Sequence, residues 1–214
     1  MVEITSLGLS SFKITGKTAS IVCDPYLDSA VGLRFPRVEA DIVTISHDHS
    51  GHNNRGGVKG EFICFDSPGE YEIKETEITG IKSYHDQSKG VVRGQNTIFV
   101  YEVDDIKICH LGDLGHDLDS EQIEKIDGVD VLFIPVGGKV VLDAKQAAKV
   151  ISAIAPKIVI PMHYKVGNRS DLEGVDIFLK EIGKDPKRVI ELKIKSAKDL
   201  PEDLEICILE SKGK

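Results

Sequence analysis

Three histidines lie within six residues, in the run His47-Asp48-His49-Ser50-Gly51-His52. Neutral imidazole is a good ligand for Zn, Fe, Mn or Ni, and an i, i+2 spacing on an irregular loop lets two rings converge on one ion. A solvated polar loop that is rich in histidine by chance is the alternative explanation. The run alone does not decide between them.

Further candidate ligands follow other apolar runs of the chain. They are His85 in Ser83-Tyr84-His85-Asp86, Asp113 in Leu111-Gly112-Asp113-Leu114-Gly115, and His163 in Pro161-Met162-His163-Tyr164. Several histidines with one carboxylate able to bridge two ions form the ligand inventory of a dinuclear metal hydrolase. Such metals lower the pKa of a shared water toward about 7 and so make hydroxide at neutral pH. The set therefore predicts metal-assisted hydrolysis, with one or two Zn ions and with Mn, Fe or Ni as alternatives.

The elements that must position these residues are mostly strands in the first half of the chain. We predict strands at 2–9, 12–15, 19–23, 41–46, 61–65, 77–83, 97–103 and 106–110, with an antiparallel start and a hairpin turn at Asp104-Asp105. Each ligand then follows the C-terminal end of a strand, where chemistry tends to lie.

From Asp119 the pattern changes to alternation of strand and helix. We predict a helix to about Ile126, a strand at 129–135, a helix opened by the Asp143-x-x-Gln146 capping pattern, a strand at 157–161, a helix ending near Gly183, and strands at 188–195 and 204–209. The expected fold is one α/β domain over residues 1–214, with two sheets covered by helices.

Composition and charge narrow the function classes. With 214 residues, 41% hydrophobic and 29% charged, the chain is expected to fold as one globular unit. The net charge of -8 repels polyanions. Nucleic acid and membranes are therefore not expected as partners, whereas a small-molecule substrate is, either phosphorylated or a lactone. A homo-oligomer is compatible with the sequence.

Targeting and cysteine patterns indicate the compartment. The N-terminus lacks a basic segment followed by an apolar run, and no stretch approaches the roughly 20 apolar residues of a bilayer span. We therefore expect a soluble, cytoplasmic protein. The four cysteines form no CxxC pair and lie in apolar runs, which predicts reduced thiols in core strands.

The order of strand, HxHxxH, later His, Gly-Asp and later His resembles the metallo-β-lactamase fold superfamily over nearly the whole chain. Within it, four runs resemble the branch of small Zn-dependent hydrolases related to ascorbate-phosphate lactonase. They are Ser67-Pro68-Gly69-Glu70-Tyr71-Glu72, His110-Leu111-Gly112-Asp113-Leu114-Gly115-His116, Ile134-Pro135-Val136-Gly137-Gly138 and Ile160-Pro161-Met162-His163-Tyr164. The resemblance implies a four-layered αββα sandwich. It also implies a metal-bound hydroxide that attacks a lactone, a carboxylic ester or a phosphodiester.

The resemblance further implies how the ligands are divided. The first metal would be held by His47, His49 and His85, and the second by His52 and His163. Asp113 would bridge the two metals and so counts among the catalytic residues. One departure matters, because the family's loop is HxHxDH and its Asp is replaced here by Gly51. That Asp serves the second metal and orients the hydroxide, so the second site is expected to bind more weakly. Many relatives also have Gly-His where this chain has Gly8-Leu9.

Some residues beside the motifs have two interpretations each. His116 would contact the substrate or protonate a leaving group, or else it is a surface histidine before a helix. His110 ends an apolar strand and fits a buried supporting residue better than a ligand. Asp24 would accept a hydrogen bond from a ligand's second ring nitrogen, or it is a turn residue before Pro25. Basic residues flank the motifs and would pair with an acidic substrate or stay solvated: Arg55, Arg93, Lys139 and Lys165.

Two other functions are kept as alternatives. A metal-binding protein that has lost catalysis is supported by Gly51, but a purely structural site would be closed by four ligands and would not need five histidines and Asp113. A phosphodiesterase or nuclease resembles other branches of the superfamily. The acidic balance of the chain argues against nucleic acid as its substrate.

Overall fold

The computed structural model describes residues 1–211, which are built mainly of short strands and a few helices. The strands are β1 (Val2–Gly8), β2 (Ser11–Thr15), β3 (Ser20–Cys23), β4 (Val38–Glu39), β5 (Ile42–Thr44), β6 (Val58–Lys59), β7 (Ile63–Phe65), β8 (Gly69–Ile73), β9 (Thr76–Tyr84), β10 (Gln95–Val103), β11 (Ile106–His110), β12 (Val131–Pro135), β13 (Ile158–Met162), β14 (Lys187–Val189), β15 (Glu191–Ile194) and β16 (Glu205–Leu209). The helices are α1 (Asp28–Val31), α2 (Ser120–Ile126), α3 (Ala144–Ile154) and α4 (Val175–Ile182).

The strands form two large sheets and one small ribbon. The first sheet has the order β15-β1-β2-β3-β5-β7, the second has the order β14-β16-β13-β12-β11-β10-β9-β8, and β4 pairs with β6. The predicted antiparallel start is confirmed, because β1, β2 and β3 pair antiparallel. Parallel pairing follows at β3 with β5 and along β11, β12 and β13.

Apolar side chains fill the space between the sheets and cover their outer faces. The central core joins residues such as Ile14 and Ile21 of the first sheet to Phe99 and Phe133 of the second. The outer face of the second sheet packs against α2, α3 and α4. The outer face of the first sheet is covered by the segment between β3 and β7, which holds α1 and the β4–β6 ribbon. This is the αββα sandwich expected from the resemblance.

Several local signals have the predicted conformations. Asp104 and Asp105 both adopt positive φ, of 51° and 63°, as a two-residue hairpin turn between β10 and β11 requires. The Asp143 side chain accepts from the Gln146 N–H, and the Gln146 side chain accepts from the Asp143 N–H. These two bonds form a capping box at the start of α3. Gly183 ends α4 in the left-handed conformation.

The strand predicted at 188–195 is wrong as a single element. The chain leaves the second sheet after β14, passes the exposed residue Ile190 and enters the first sheet as β15. Alternation of apolar and polar residues is regular from Ile190 to Lys195 but breaks at Val189-Ile190, where the chain crosses between the sheets. A period of two does not specify which sheet a strand joins. The sequence analysis also missed β8 and the short elements α1, β4 and β6.

The topology brings the ends of four strands together. β9 and β11 are both antiparallel to β10, so they run in the same direction, and β13 runs parallel to them across β12. Their C-terminal ends therefore meet at one edge of the second sheet, and the loop after β5 approaches from the first sheet, where Thr97 N–H donates to Ser46 O. The loops after β5, β9, β11 and β13 carry the predicted ligands.

The cysteines lie on strands, as predicted from the sequence. All four cysteines are free thiols on strands, at Cys23, Cys64, Cys109 and Cys207. Among residues 1–211, none of the helices combines the length and apolar character that crossing a membrane requires.

Candidate metal centre

One carboxylate oxygen, Asp113 Oδ2, is the centre of the predicted ligand set. The Nε2 atoms of four histidines face it at 3.0 Å (His163), 3.2 Å (His52), 3.2 Å (His85) and 3.7 Å (His47). The fifth, His49, lies with its donor atom within 4.8 Å of those of His47 and His85. The structure therefore brings all six predicted ligands together.

The ligands divide into two overlapping groups. His47, His49 and His85 form one set of donor atoms within 4.8 Å, and His47, His52 and Asp113 form the other. His163 joins the second set through Asp113, and its ring stacks on that of His52 at 5.6 Å. Of these residues only His49 is exposed. The first group is the set that the resemblance assigns to the first metal, whereas the second group shares His47 with it, and the division of the ligands between two metals stays a prediction.

Asp24 fixes the orientation of two of the histidines. Ser46 Oγ donates to Asp24 Oδ2 at 2.6 Å, because a carboxylate only accepts. Its contact of 2.9 Å with His47 Nδ1 must then be a bond donated by the ring, which leaves Nε2 of His47 with a bare lone pair. His52 Nδ1 lies 2.8 Å from the same Asp24 oxygen and donates to it directly. Asp24 thus has the supporting role that was one of its two interpretations.

The buried polar atoms that lack a partner test whether a metal fits. Within residues 1–211, four of the five such side-chain atoms belong to the ligand set: His47 Nε2, His85 Nδ1, Asp113 Oδ1 and His163 Nδ1. A buried polar atom without a partner costs free energy unless something absent from the protein binds it. His47 Nε2 is one of the atoms that face Asp113, whereas His85 and His163 face it through Nε2 and leave the other nitrogen of each ring without a partner. The nitrogen atoms that converge on this carboxylate suit a transition-metal cation.

The electrostatics of the cluster also favour a cation. Burial lowers the pKa of His47 to about 2, so its ring is neutral at physiological pH. Burial opposes ionisation of Asp113 as well, but His163 and His52 outweigh it and hold the pKa of that carboxyl well below its usual range. For His52, Asp113 and Asp24 outweigh burial and raise the pKa to about 10. Without a metal, the cluster therefore combines an ionised Asp113 with a neutral ring at His47 and a protonated ring at His52, and His52 would release its proton on binding a metal.

Two glycines allow the ligand loops to approach each other. A Cβ at Gly112 would lie 2.7 Å from Ser46 Cβ, and the residue has a φ of 59°. A Cβ at Gly115 would collide with the backbone carbonyl of His85. Any larger residue at either position would push the Asp113 loop away from the other ligands, which explains the Gly-Asp-Leu-Gly run physically.

The two remaining histidines lie outside the ligand set. His110 is buried, its Nε2 lies 2.8 Å from Ser10 O, and its Nδ1 accepts from the Gly112 N–H. It therefore supports the Asp113 loop, as predicted. His116 accepts from the Tyr84 N–H at Nε2, and its Nδ1 lies 2.7 Å from Asp117 O. Both ring nitrogens face backbone atoms, so a role of His116 in catalysis stays a prediction without support from its geometry.

A pocket of about 220 Å³ opens over the ligands. Besides His49, His52, His85, Asp113 and His163, its lining includes Ala30, Ser50, Gly51, Arg93, Val140, Arg169 and Asp171. The sequence analysis named Arg93 but missed Arg169 and Asp171, which belong to no motif. The structure places Arg55 in a separate pocket beside His47, together with Asp48.

Asp24→Asn is expected to weaken metal binding by about 10-fold, the lower end of the effect of losing a partner that orients a ligand. Asp24 accepts from the Ser46 N–H at Oδ1 and from the Ser46 hydroxyl and His52 Nδ1 at Oδ2, whereas asparagine has one acceptor oxygen and would turn its NH2 group toward one of these donors. Competition for Zn with a chromophoric chelator measures the affinity. Asp41→Asn is the matched control, because Asp41 also accepts from the N–H and hydroxyl of a serine, Ser20, away from the site. Equal weakening in both variants would contradict the role given to Asp24.

Comparison with known proteins agrees with this geometry. Residues 3–163 match the model of the Beta-lactamase superfamily domain, a span that ends at the last predicted ligand. The chain is 30% identical over 191 residues to the UPF0173 metal-dependent hydrolase of Thermococcus onnurineus, covering 77% of this chain and 85% of that one.

Solved structures share the fold over almost the whole chain. A candidate Zn-dependent hydrolase of the metallo-β-lactamase superfamily from Thermotoga maritima is 36% identical, with a TM-score of 0.83 over 99% of this chain and 100% of that one. Igni18, a metallo hydrolase of Ignicoccus hospitalis, shares the fold at 20% identity, with a TM-score of 0.66 over 91% and 99% of the two chains. The matched domain model, the arrangement of the two sheets and the histidine cluster at their edge agree: this chain belongs to the metallo-β-lactamase superfamily.

Proposed function

We propose that the chain is a metal-dependent hydrolase that cleaves an ester-type bond of a small molecule, namely a lactone, a carboxylic ester or a phosphodiester. The observation that supports this most is the convergence of four imidazole Nε2 atoms on Asp113 Oδ2 beside an open pocket. Zn, as one ion or two, suits these donors, and Mn, Fe and Ni are the alternatives. The similar proteins described above are a metal-dependent hydrolase and a candidate Zn-dependent hydrolase, which supports the same class.

The chain's own residues prepare the site for this reaction. His47 and His52 point Nε2 inward because Ser46 and Asp24 bind their opposite nitrogens. Asp113 stays ionised and offsets the charge of a cation. When bound, the metal supplies a water of lowered pKa and polarises the oxygen of the bond to be cleaved.

The pocket favours a small substrate. Its volume of about 220 Å³ lies below the roughly 300–1,000 Å³ of sites for drug-sized ligands. The net charge of -8 adds long-range repulsion of nucleic acid. We therefore place a phosphodiesterase acting on small molecules ahead of a nuclease.

A metal-binding protein without catalysis is the second candidate, and Gly51 supports it. No carboxylate of residue 51 is available to a second metal, so His52, His163 and Asp113 would be its protein ligands. With a water they would supply the four ligands that tetrahedral coordination needs. A location in the cytoplasm and a homo-oligomeric state stay predictions.

The deciding experiment measures metal content and turnover on one preparation. The protein is purified without chelators or an affinity tag, analysed for metals, and assayed on a panel of lactones, carboxylic esters and phosphodiesters. We expect up to two metals per chain together with turnover. One tightly held metal without turnover would favour the second candidate, and no metal even after reconstitution would overturn the proposal.

A further inference from the structure

Two arginines from different ligand-bearing loops lie on the pocket lining. Arg93 belongs to the loop after His85, and Arg169 belongs to the loop after His163. The remaining charged residues of the lining are the ligand Asp113 and the ion-pair partner of Arg169, which is Asp171. Neither arginine is needed to hold a metal, so both call for another explanation.

Arg169 is held in a fixed orientation. Its Nε donates to Asp171 Oδ1 at 3.0 Å and its Nη2 donates to Asp171 Oδ2 at 2.9 Å, a paired contact that locks the plane of the guanidinium. Arg169 holds the pKa of Asp171 below its usual range, so this carboxylate stays ionised. The bonds to Asp171 do not use Nη1, which is left to donate to another group.

The backbone around Arg169 is also well supported. Its N–H donates to Val166 O, its own carbonyl accepts from the Leu172 N–H, and the neighbouring Asn168 N–H donates to Val31 O of α1. Only 19% of the Arg169 side chain is exposed. The ion pair of Arg55 differs, because that arginine side chain is 51% exposed. Exposed pairs of that kind are commonly without function.

Arg93 extends from a loop that one carboxylate fixes. Asp86 accepts bonds from four backbone N–H groups, those of Ser88, Gly90, Val92 and Arg93 itself. Since Asp86 directly follows the ligand His85, the loop is fastened at the edge of the metal site. The exposed side chain of Arg93 is therefore tethered at the pocket mouth rather than carried on a loose segment.

We infer that Arg169 and Arg93 bind an oxyanion of the substrate, a carboxylate or a phosphate group, while the ester-type bond lies over the metal ligands. Guanidinium groups match the geometry of both oxyanions with parallel N–H bonds. The inference deepens the proposed function and rests on it, because it narrows the substrate to a small hydrolysable molecule that carries a negative charge. Asp171 acts as a positioning residue for Arg169.

Anion binding to the metal-loaded protein tests the inference directly. Inorganic phosphate and acetate are titrated by calorimetry into the wild type, Arg169→Gln, Arg93→Gln and the control Arg55→Gln. We expect Arg169→Gln to weaken the affinity for whichever anion binds the wild type more tightly by about 10-fold or more. This is the loss expected for hydrogen bonds to a charged group. Arg55→Gln is expected to leave binding unchanged. The anion that binds the wild type more tightly distinguishes phosphate from carboxylate.

A second readout uses catalysis on matched substrates. Wild type is expected to prefer γ-carboxy-γ-butyrolactone to neutral γ-butyrolactone in kcat/KM, and in Arg169→Gln the ratio of the two kcat/KM values is expected to fall toward 1. Arg169→Lys keeps the charge but not the paired donors, so it is expected to recover only part of the anion affinity. Partial recovery in Arg169→Lys would show that the loss in Arg169→Gln comes from the missing charge and not from disturbed folding.

The outcomes separate this inference from the proposed function. Equal anion binding by all four proteins means that the metals alone hold the anion, and it overturns the inference. So does the absence of anion binding by the wild type. Anion binding that depends on Arg169, without hydrolysis of any bond in the panel, supports the anion site and overturns the proposed function instead.

Discussion

Asp113→Asn is expected to remove tight metal binding and hydrolysis together. Asparagine keeps the size of the side chain but offers one carbonyl oxygen in place of a charged carboxylate that four histidines face. Because the loss of a residue that only supports a ligand already weakens binding by roughly 10–100-fold, we expect a loss of more than about 100-fold here. Metal content after dialysis and kcat/KM on the hydrolysed substrate measure the two effects.

Asp117→Asn is the matched control for this change. Asp117 lies four residues further along the same loop, and its side chain is exposed. The control is expected to retain both metal and activity, and circular dichroism of the two variants shows whether each remains folded. Full activity in Asp113→Asn would show that the cluster is not the reaction centre.

Gly51→Asp is expected to strengthen the second metal site on the order of 100-fold, the upper end of the effect of one group beside a metal. A Cβ at residue 51 would meet only Leu9 Cδ2, at 3.6 Å, which is ordinary van der Waals contact. The residue also lines the pocket beside His52 and His163. An aspartate therefore has room where the family's loop carries one.

Isothermal titration of metal-free protein with Zn measures this effect through the affinity of the weaker site. Gly51→Ala tests whether a side chain is tolerated at all, and Gly51→Asn tests whether the negative charge is needed. Both are expected to keep the wild-type affinity. A fall in metal content in Gly51→Asp, with Gly51→Ala unchanged, would show that this loop does not follow the family's geometry.

Leu9 is the neighbour that could oppose the gain. It is buried, it occupies the position where many relatives have histidine, and it lies closest to the added Cβ. An aspartate against an apolar side chain is less readily ionised, which reduces its value as a ligand. The two departures of this chain from the family's pattern are therefore adjacent in the structure.

The ligand set could be predicted from the sequence because each ligand follows an apolar strand. His47, His85, Asp113 and His163 all come at such ends, and the rules of sheet topology bring ends of like direction to one edge. His110 and His116 have similar local surroundings in the sequence. Only the partners of their rings distinguish them, and those of His110 include Ser10, one hundred residues away.

Arg169 and Asp171 could not be predicted in the same way. They lie in a loop without a motif, between β13 and α4, which is held by backbone bonds to distant segments, such as that from Asn168 N–H to Val31 O of α1. Contacts of this kind depend on the folded arrangement of distant segments, about which local pattern carries no information. The division of 188–195 between two sheets escaped prediction for the same reason.

The segment that crosses between the sheets at Ile190 supplies an edge strand to each of them. β14 is the outermost strand of the second sheet, and β15 is the outermost strand of the first. An exposed edge strand presents unpaired N–H and C=O groups that can pair with another extended chain, which promotes aggregation. Both strands are short, with three and four residues, and carry the charged residues Lys187, Arg188, Glu191 and Lys193. The same segment thus discourages strand-to-strand association with other molecules at one edge of each sheet.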